Sequence, residues 1–157
     1  MPGTPPFEAL APDRAFSFSC GPDTACFNAC CAQLNQFLTP YDLLRLRQGL
    51  GLSSGELRER FLRLHTGPAT GLPVATLRPA PGSGGACPLV TEAGCSVYHD
   101  RPSSCRAYPL VRVAARDRQT GRNSERFFLV REAHCRGFSG SGRWTAQSPA
   151  CSSTWRS

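Results

Sequence analysis

This sequence predicts a small, irregular α+β domain, rich in loops and organised around a cysteine-ligated metal centre, and three observations carry that expectation. Nine cysteines occur in 157 residues, most of them in two dense groups. Gly and Pro supply 15 and 14 residues, which commits much of the chain to turns. Two segments of helical periodicity lie between the cysteine groups, with segments of alternating pattern around them. A chain of this length fits one domain large enough to bury a modest core.

The elements follow in order. Residues 1–15 hold Pro2, Pro5, Pro6 and Pro12 and are expected to form a flexible leader. Phe16-Ser17-Phe18-Ser19-Cys20 alternates in polarity and leads into the first cysteine group. A helix then starts at Pro40: Thr39 caps it, Asp42 answers its exposed amides, Leu43, Leu46 and Leu50 recur at helical spacing, and Gly49 and Gly51 end it. Ser53 and Glu56 form the capping box of a second helix, with Leu52 placed to staple against Leu57. Leu57, Phe61 and Leu64 are its expected buried stripe, and Gly67-Pro68 its stop.

Val74 to Arg78 reads as a strand, and Pro79 to Gly85 as a loop. Leu110 to Val113 and Arg126 to Val130 predict a hairpin that delivers Cys135 beside the earlier cysteines. The stretch Gly137-Phe138-Ser139-Gly140-Ser141-Gly142 follows no clear strand and lacks the lysine of a phosphate loop, so it reads as flexible chain. The cysteine-cluster domain is thus expected over residues 16–142, with residues 143–157 a disordered tail.

Net charge is +7, yet all 18 basic residues are arginine and they are spread from Arg14 to Arg156. That pattern favours a solvated surface, and nucleic-acid binding has no support beyond the net positive charge. No basic segment followed by an apolar run opens the chain, and no apolar run approaches the roughly 20 residues that cross a bilayer. The expectation is a cytoplasmic protein without a membrane partner. Thiols stay reduced there, so the cysteines point to metal ligation before disulfides.

The first group is Cys20, Cys26, Cys30 and Cys31, and the second is Cys87, Cys95 and Cys105, followed by Cys135. Two sets of four thiols match the four ligands that tetrahedral zinc or a cubane iron-sulfur cluster needs. Short spacings let a turn bring two sulfurs to one ion at little closure cost. The adjacent Cys30 and Cys31 fit a disulfide poorly, because that bond demands strained backbone. Cys151 lies apart from both groups and is expected not to ligate.

The segments holding Cys20, Cys26 and Cys30-Cys31, then Leu38-Thr39-Pro40-Tyr41-Asp42-Leu43, Cys87-Pro88-Leu89, Gly94-Cys95-Ser96-Val97-Tyr98, and Arg101-Pro102-Ser103-Ser104-Cys105-Arg106-Ala107-Tyr108-Pro109 resemble the YkgJ-type cysteine-cluster proteins. The resemblance covers Phe16 to Gly142, and Arg-Pro-x-x-Cys-Arg-x-Tyr-Pro is its most specific part. It implies a zinc- or iron-chelating domain. The opening here is Cys-x5-Cys-x3-Cys-Cys, wider than the family's Cys-x2-Cys-x2-Cys-Cys, which leaves open whether Cys20 and Cys26 both ligate. Some relatives take part in methylating flagellin lysines, an activity that cysteine spacing alone does not transfer.

Tyr98, Arg101, Arg106 and Tyr108 surround Cys105 in sequence and are candidates for a shell that supports the thiolates; rigid X-Pro turns would explain them equally well. His134, His65 and His99 are further candidate ligands. No catalytic residue can be named, since neither paired carboxylates nor a Ser/His/Asp arrangement is present. The expected function is metal binding with zinc or an iron-sulfur cluster as cofactor. An iron-sulfur enzyme or enzyme subunit and a metal-stabilised interaction module are the alternatives.

Overall fold

The structure is a computed structural model and describes residues 7–33, 36–68 and 71–148. It is a small mixed fold of a few short helices and several small sheets. The described residues form in order β1 (Phe7–Leu10), β2 (Phe16–Ser17), a 3-10 turn at Ala29–Cys31, β3 (Phe37–Leu38), α1 (Pro40–Leu50), α2 (Ser54–Phe61), β4 (Leu62–Thr66) and β5 (Pro73–Leu77). There follow β6 (Val90–Thr91), β7 (Gly94–Cys95), a second 3-10 turn at Tyr98–Asp100, α3 (Ser103–Ala107), β8 (Leu110–Arg116), β9 (Asn123–Val130), a third 3-10 turn at Gly137–Ser139 and β10 (Arg143–Trp144). No helix among the described residues is long and apolar enough to cross a membrane.

Where the sequence suggests one domain over 16–142, the chain divides into two compact units, Ala25–Cys105 and the combination of Met1–Thr24 with Arg106–Ser157. The central unit contains both predicted helices. Thr39 and Asp42 form a full capping box at the start of α1, and Ser53 and Glu56 form one at α2. Leu46, fully buried, and Leu57 carry the helices onto a core completed by Leu38, Leu62, Ala75, Leu77, Leu89 and Val97. That core packs on the sheet β3-β5-β4, in which β5 is antiparallel to both neighbours.

Two helix ends differ from expectation. Gly49 does not end α1, which runs on to Leu50. A side chain at position 49 would meet the Asp100 carboxylate at 2.6 Å, so glycine there permits the close approach of the Tyr98–Asp100 turn. Arg45 fastens that turn with a 2.8 Å ion pair to Asp100 and a 2.8 Å bond to the His99 carbonyl. The second helix stops at Phe61 rather than Leu64, because Leu62–Thr66 pairs in register with β5, from Leu62 opposite Leu77 to Thr66 opposite Pro73. Ladder bonds override the local helical period here. Leu64 is 57% exposed instead of buried.

The terminal unit is a three-stranded antiparallel sheet, β1-β9-β8, beside the short pair β10-β2. Its core is Leu10, Phe16, Phe18, Leu110, Leu129 and Ala146. The leader expected to be flexible therefore supplies an edge strand from Phe7, with Leu10 buried and Glu8 held by Arg14 and Arg131 at 3.2 and 2.7 Å. Past the prolines, every residue of Phe7–Leu10 can join the ladder. The predicted hairpin is present and longer than its apolar pattern suggests, since its outer half buries neither face.

The glycine-rich stretch is packed rather than loose. Side chains at Gly137, Gly140 and Gly142 would come within 2.5, 2.4 and 2.5 Å of Phe18 or Ser19. Only glycine lets these two backbones lie together, as the bonds from Ser19 N to Gly137 O (2.9 Å) and from Phe18 N to Gly142 O (2.8 Å) require. The expected tail also begins in order: Arg143 and Trp144 pair with Ser17 and Phe16, and the Trp144 indole donates to the Phe18 carbonyl at 2.6 Å. Residues 149–157, including Cys151, lie outside the described residues.

Candidate metal centre

The central unit holds six cysteines from both groups of the sequence, Cys26, Cys30, Cys31, Cys87, Cys95 and Cys105, and the thiols of the last five act on one another. Cys30 and Cys31 lie in a single 3-10 turn that Asn28 opens in the left-handed conformation (φ 65°), which a short amide side chain tolerates. The Asn28 side chain also donates to the Thr91 carbonyl at 2.9 Å, tying this turn to β6. A backbone bond from Cys87 N to Cys31 O (2.8 Å) joins the two groups directly.

Cys95 ends the β6–β7 hairpin. Gly94 beside it has φ 113°, and a side chain at that position would touch the Phe27 ring at 3.0 Å, so both backbone and packing select glycine. Cys105 rides on α3, whose first residue is fastened to α1. The Asp42 carboxylate, 1% exposed, accepts from Ser103 N at 2.8 Å and Ser103 Oγ at 3.0 Å while it caps α1 through Thr39 N (2.9 Å) and Thr39 Oγ1 (2.8 Å). One buried carboxylate thus starts two helices and sets the position of Cys105.

Electrostatics show that the five thiols share one environment. The Cys30 thiol donating to Cys31 lowers the Cys31 pKa, against desolvation and the charges of Cys87, Cys105 and Cys95. Burial raises Cys87, helped by Cys95 and Cys30. Cys105 is pushed up to about 12 by burial, then by Cys87 and Cys30, with Arg101 pulling the other way. The Cys105 thiol also donates to the Gln36 side-chain Oε1 at 3.5 Å, and the Gln36 Nε2 donates to Ser104 Oγ.

Among the described residues no three His, Cys, Asp or Glu side chains already stand at metal-holding distances. The donor chemistry nevertheless fits a thiophilic ion: thiols from four chain segments converge, and their mutual charge opposes ionisation of the buried ones until a cation is present.

The remaining candidates fall as follows. Cys26 belongs to the central unit, and its carbonyl accepts from Ala29 N at 3.0 Å. Cys20 and Cys135 belong to the terminal unit. There Cys135 and Glu132 flank the buried Tyr108 hydroxyl, whose pKa rises through burial and through these two neighbours. Arg101 stacks on Tyr98 at 3.7 Å and donates to its carbonyl at 2.8 Å. Arg106 has two buried guanidinium nitrogens without a hydrogen-bond partner among the described residues. His134 pairs with Glu132 at 3.6 Å, His65 stands beside Phe37, and His99 lies edge-on to Tyr98.

Sequence reasoning missed Asn28, Gln36 and the reach of Asp42 to Ser103. Asp42 was legible as a cap of its own helix, but its second helix starts 61 residues away.

Neither the curated proteins nor the solved structures contain a significant match to this chain. A family model does match, over residues 19–136, and is described as CxxCxxCC, "Putative zinc- or iron-chelating domain". The match spans three quarters of the chain and includes every cysteine of the converging group, so the protein belongs to the CxxCxxCC family.

Proposed function

We propose that this protein binds zinc or an iron-sulfur cluster through four thiolates drawn from Cys30, Cys31, Cys87, Cys95 and Cys105. The observation that carries this is the approach of five thiols from both cysteine groups within one unit, which the bond from Cys87 N to Cys31 O (2.8 Å) holds together. The 4.0 Å between Cys30 Sγ and Cys31 Sγ supports it further, because two sulfurs on one tetrahedral zinc stand about 3.8 Å apart for Zn–S bonds of about 2.3 Å. Zinc would supply a closed structural crosslink there, and an iron-sulfur cluster would supply one-electron redox chemistry. In either case Asp42 orients the helix of Cys105, and Arg101 offsets part of the thiolate charge near it.

Anaerobic purification followed by metal analysis and an absorption spectrum tests this reading. Stoichiometric zinc in a colourless protein, or iron and sulfide with a brown absorption that dithionite bleaches, is the expected result. Protein free of both metals when expressed with either supplied rejects it.

A pH dependence follows from the same thiols. Cys87 and Cys105, both raised, hold their protons near neutrality in the metal-free protein and must release them to bind. The bound form carries fewer protons, so affinity rises with pH throughout the range below about 12. Zinc titration in weakly buffered solution should release about two or more protons per ion. An uptake of zinc without proton release, and independent of pH, would contradict the protonated resting state.

A further inference from the structure

We infer that the exposed end of the β8–β9 hairpin, Val113 to Arg126, is a binding surface for the phosphodiester backbone of duplex nucleic acid. All fourteen of these residues are exposed, and the ladder holds its register out to Arg116 opposite Asn123. From position 112 to 126 the hairpin carries five arginines, Arg112, Arg116, Arg118, Arg122 and Arg126, against two carboxylates.

Both carboxylates are engaged within the hairpin. Asp117 accepts from Gln119 N (2.9 Å), Thr120 N (2.6 Å) and Thr120 Oγ1 (2.9 Å), which builds the turn, and Glu125 pairs with Arg112. Among the described residues no carboxylate pairs with Arg116, Arg118, Arg122 or Arg126. In the central unit Arg45 binds Asp100 and Arg78 binds the carbonyls of Glu59 and Leu62. On the hairpin Arg116 Nε donates to the Gly121 carbonyl at 3.3 Å, so one guanidinium lies along the turn, and Arg118, Arg122 and Arg126 add charge at exposed positions around it.

The chemistry of the surface narrows the partner. No aromatic side chain lies between Val113 and Arg126, so nothing there offers the stacking platform on which single-stranded bases are held. Val113, 47% exposed opposite Arg126, is too small an apolar surface to seat a hydrophobic peptide. What remains is charge on a two-stranded ribbon, a shape that the major groove of a duplex, about 12 Å wide, accepts between its two rows of phosphates. Arg126 stands three ladder positions inside the end at Arg116 and Asn123, about 10 Å along the strand and, three being odd, on the opposite face of the ribbon, so charge is offered on both faces to the two phosphate rows that flank the groove.

The test uses the full chain and a short fluorescent DNA duplex of mixed sequence, titrated from about 50 to 200 mM salt. One variant replaces Arg116, Arg118, Arg122 and Arg126 with Gln; a control replaces Arg47, Arg58, Arg60 and Arg63, which removes the same charge from the central unit. The hairpin variant should lose at least about tenfold in affinity, and its salt slope should be shallower by about 3, at roughly 0.9 per phosphate contact. The control should stay near the unmodified protein, and thermal melts should show that both variants fold. Absence of duplex binding by the unmodified chain at low salt, or equal losses in the two variants, overturns the proposal. Stronger competition by polyglutamate than by unlabelled duplex does so too, and identifies an acidic polypeptide as the partner; a preference for single strands likewise rejects it.

Discussion

Cys31→Ser and Cys105→Ser are each expected to lower metal affinity by at least about 100-fold, whereas Cys151→Ser keeps the full complement. A serine hydroxyl is neither soft nor ionised near neutrality, so it replaces a thiolate poorly at a zinc or iron-sulfur site. Cys31 and Cys105 respond to the other thiols of the central unit, while Cys151 lies apart from both cysteine groups in the sequence. Metal content of the three variants after dialysis against a competing chelator tests the ligand assignment. Equal losses in all three would trace the effect to general destabilisation, and equal retention would remove Cys31 and Cys105 from the site. Binding of a structural metal is worth about 10–16 kcal/mol in small metallo-domains, so loss of the ion should also lower the unfolding midpoint.

Asp42→Ala is expected to cost about 3–5 kcal/mol of stability and to weaken metal binding as well. The substitution leaves Thr39 N and Ser103 N without their acceptor, and each buried donor so stranded costs about 1–3 kcal/mol, with a lost helix cap adding about 1. Against a typical total of about 5–15 kcal/mol, that is a large fraction. Ser103→Ala, which removes the hydroxyl bond and keeps the backbone one, should cost only about 1 kcal/mol. Urea unfolding of the metal-loaded variants measures the first effect, and chelator competition the second. If Asp42→Ala unfolds at the unmodified midpoint, the carboxylate is not what joins α1 to α3. If it loses stability but holds metal with unmodified affinity, its bond to Ser103 does not position Cys105.

The local elements that the sequence encodes within a few residues were legible. Thr39 with Asp42 and Ser53 with Glu56 are caps whose donor and acceptor lie three positions apart, so pattern alone locates both helix starts. Phe16 and Phe18 alternate with serines and are buried, as an edge strand in an apolar core requires. Where the decisive bond is distant, the pattern misled. Leu64 keeps helical spacing with Leu57 and Phe61, yet its residues pair with β5, and the glycines from 137 to 142 read as slack chain until Phe18 and Ser19 are seen against them. Arginines spread along the sequence likewise gave no hint that four of them share one exposed hairpin, because a solvated ribbon has no apolar period to mark its length.

The sequence by itself determined the chemistry of this protein: clustered thiols, the helix caps and the membership of residues 19–136 in a metal-chelating family all follow from residue types at short spacing. Only the tertiary structure shows that thiols of the two sequence groups lie close enough to act on one another. Sequence spacing separates Cys30 and Cys31 from Cys87, Cys95 and Cys105, whereas the central unit brings these five into one electrostatic environment. The physical reason is that short loops make nearby ligands inexpensive to close, but long-range pairing is settled by buried contacts such as Cys87 N to Cys31 O and Asp42 to Ser103, whose partners lie some 60 residues apart and leave no local trace.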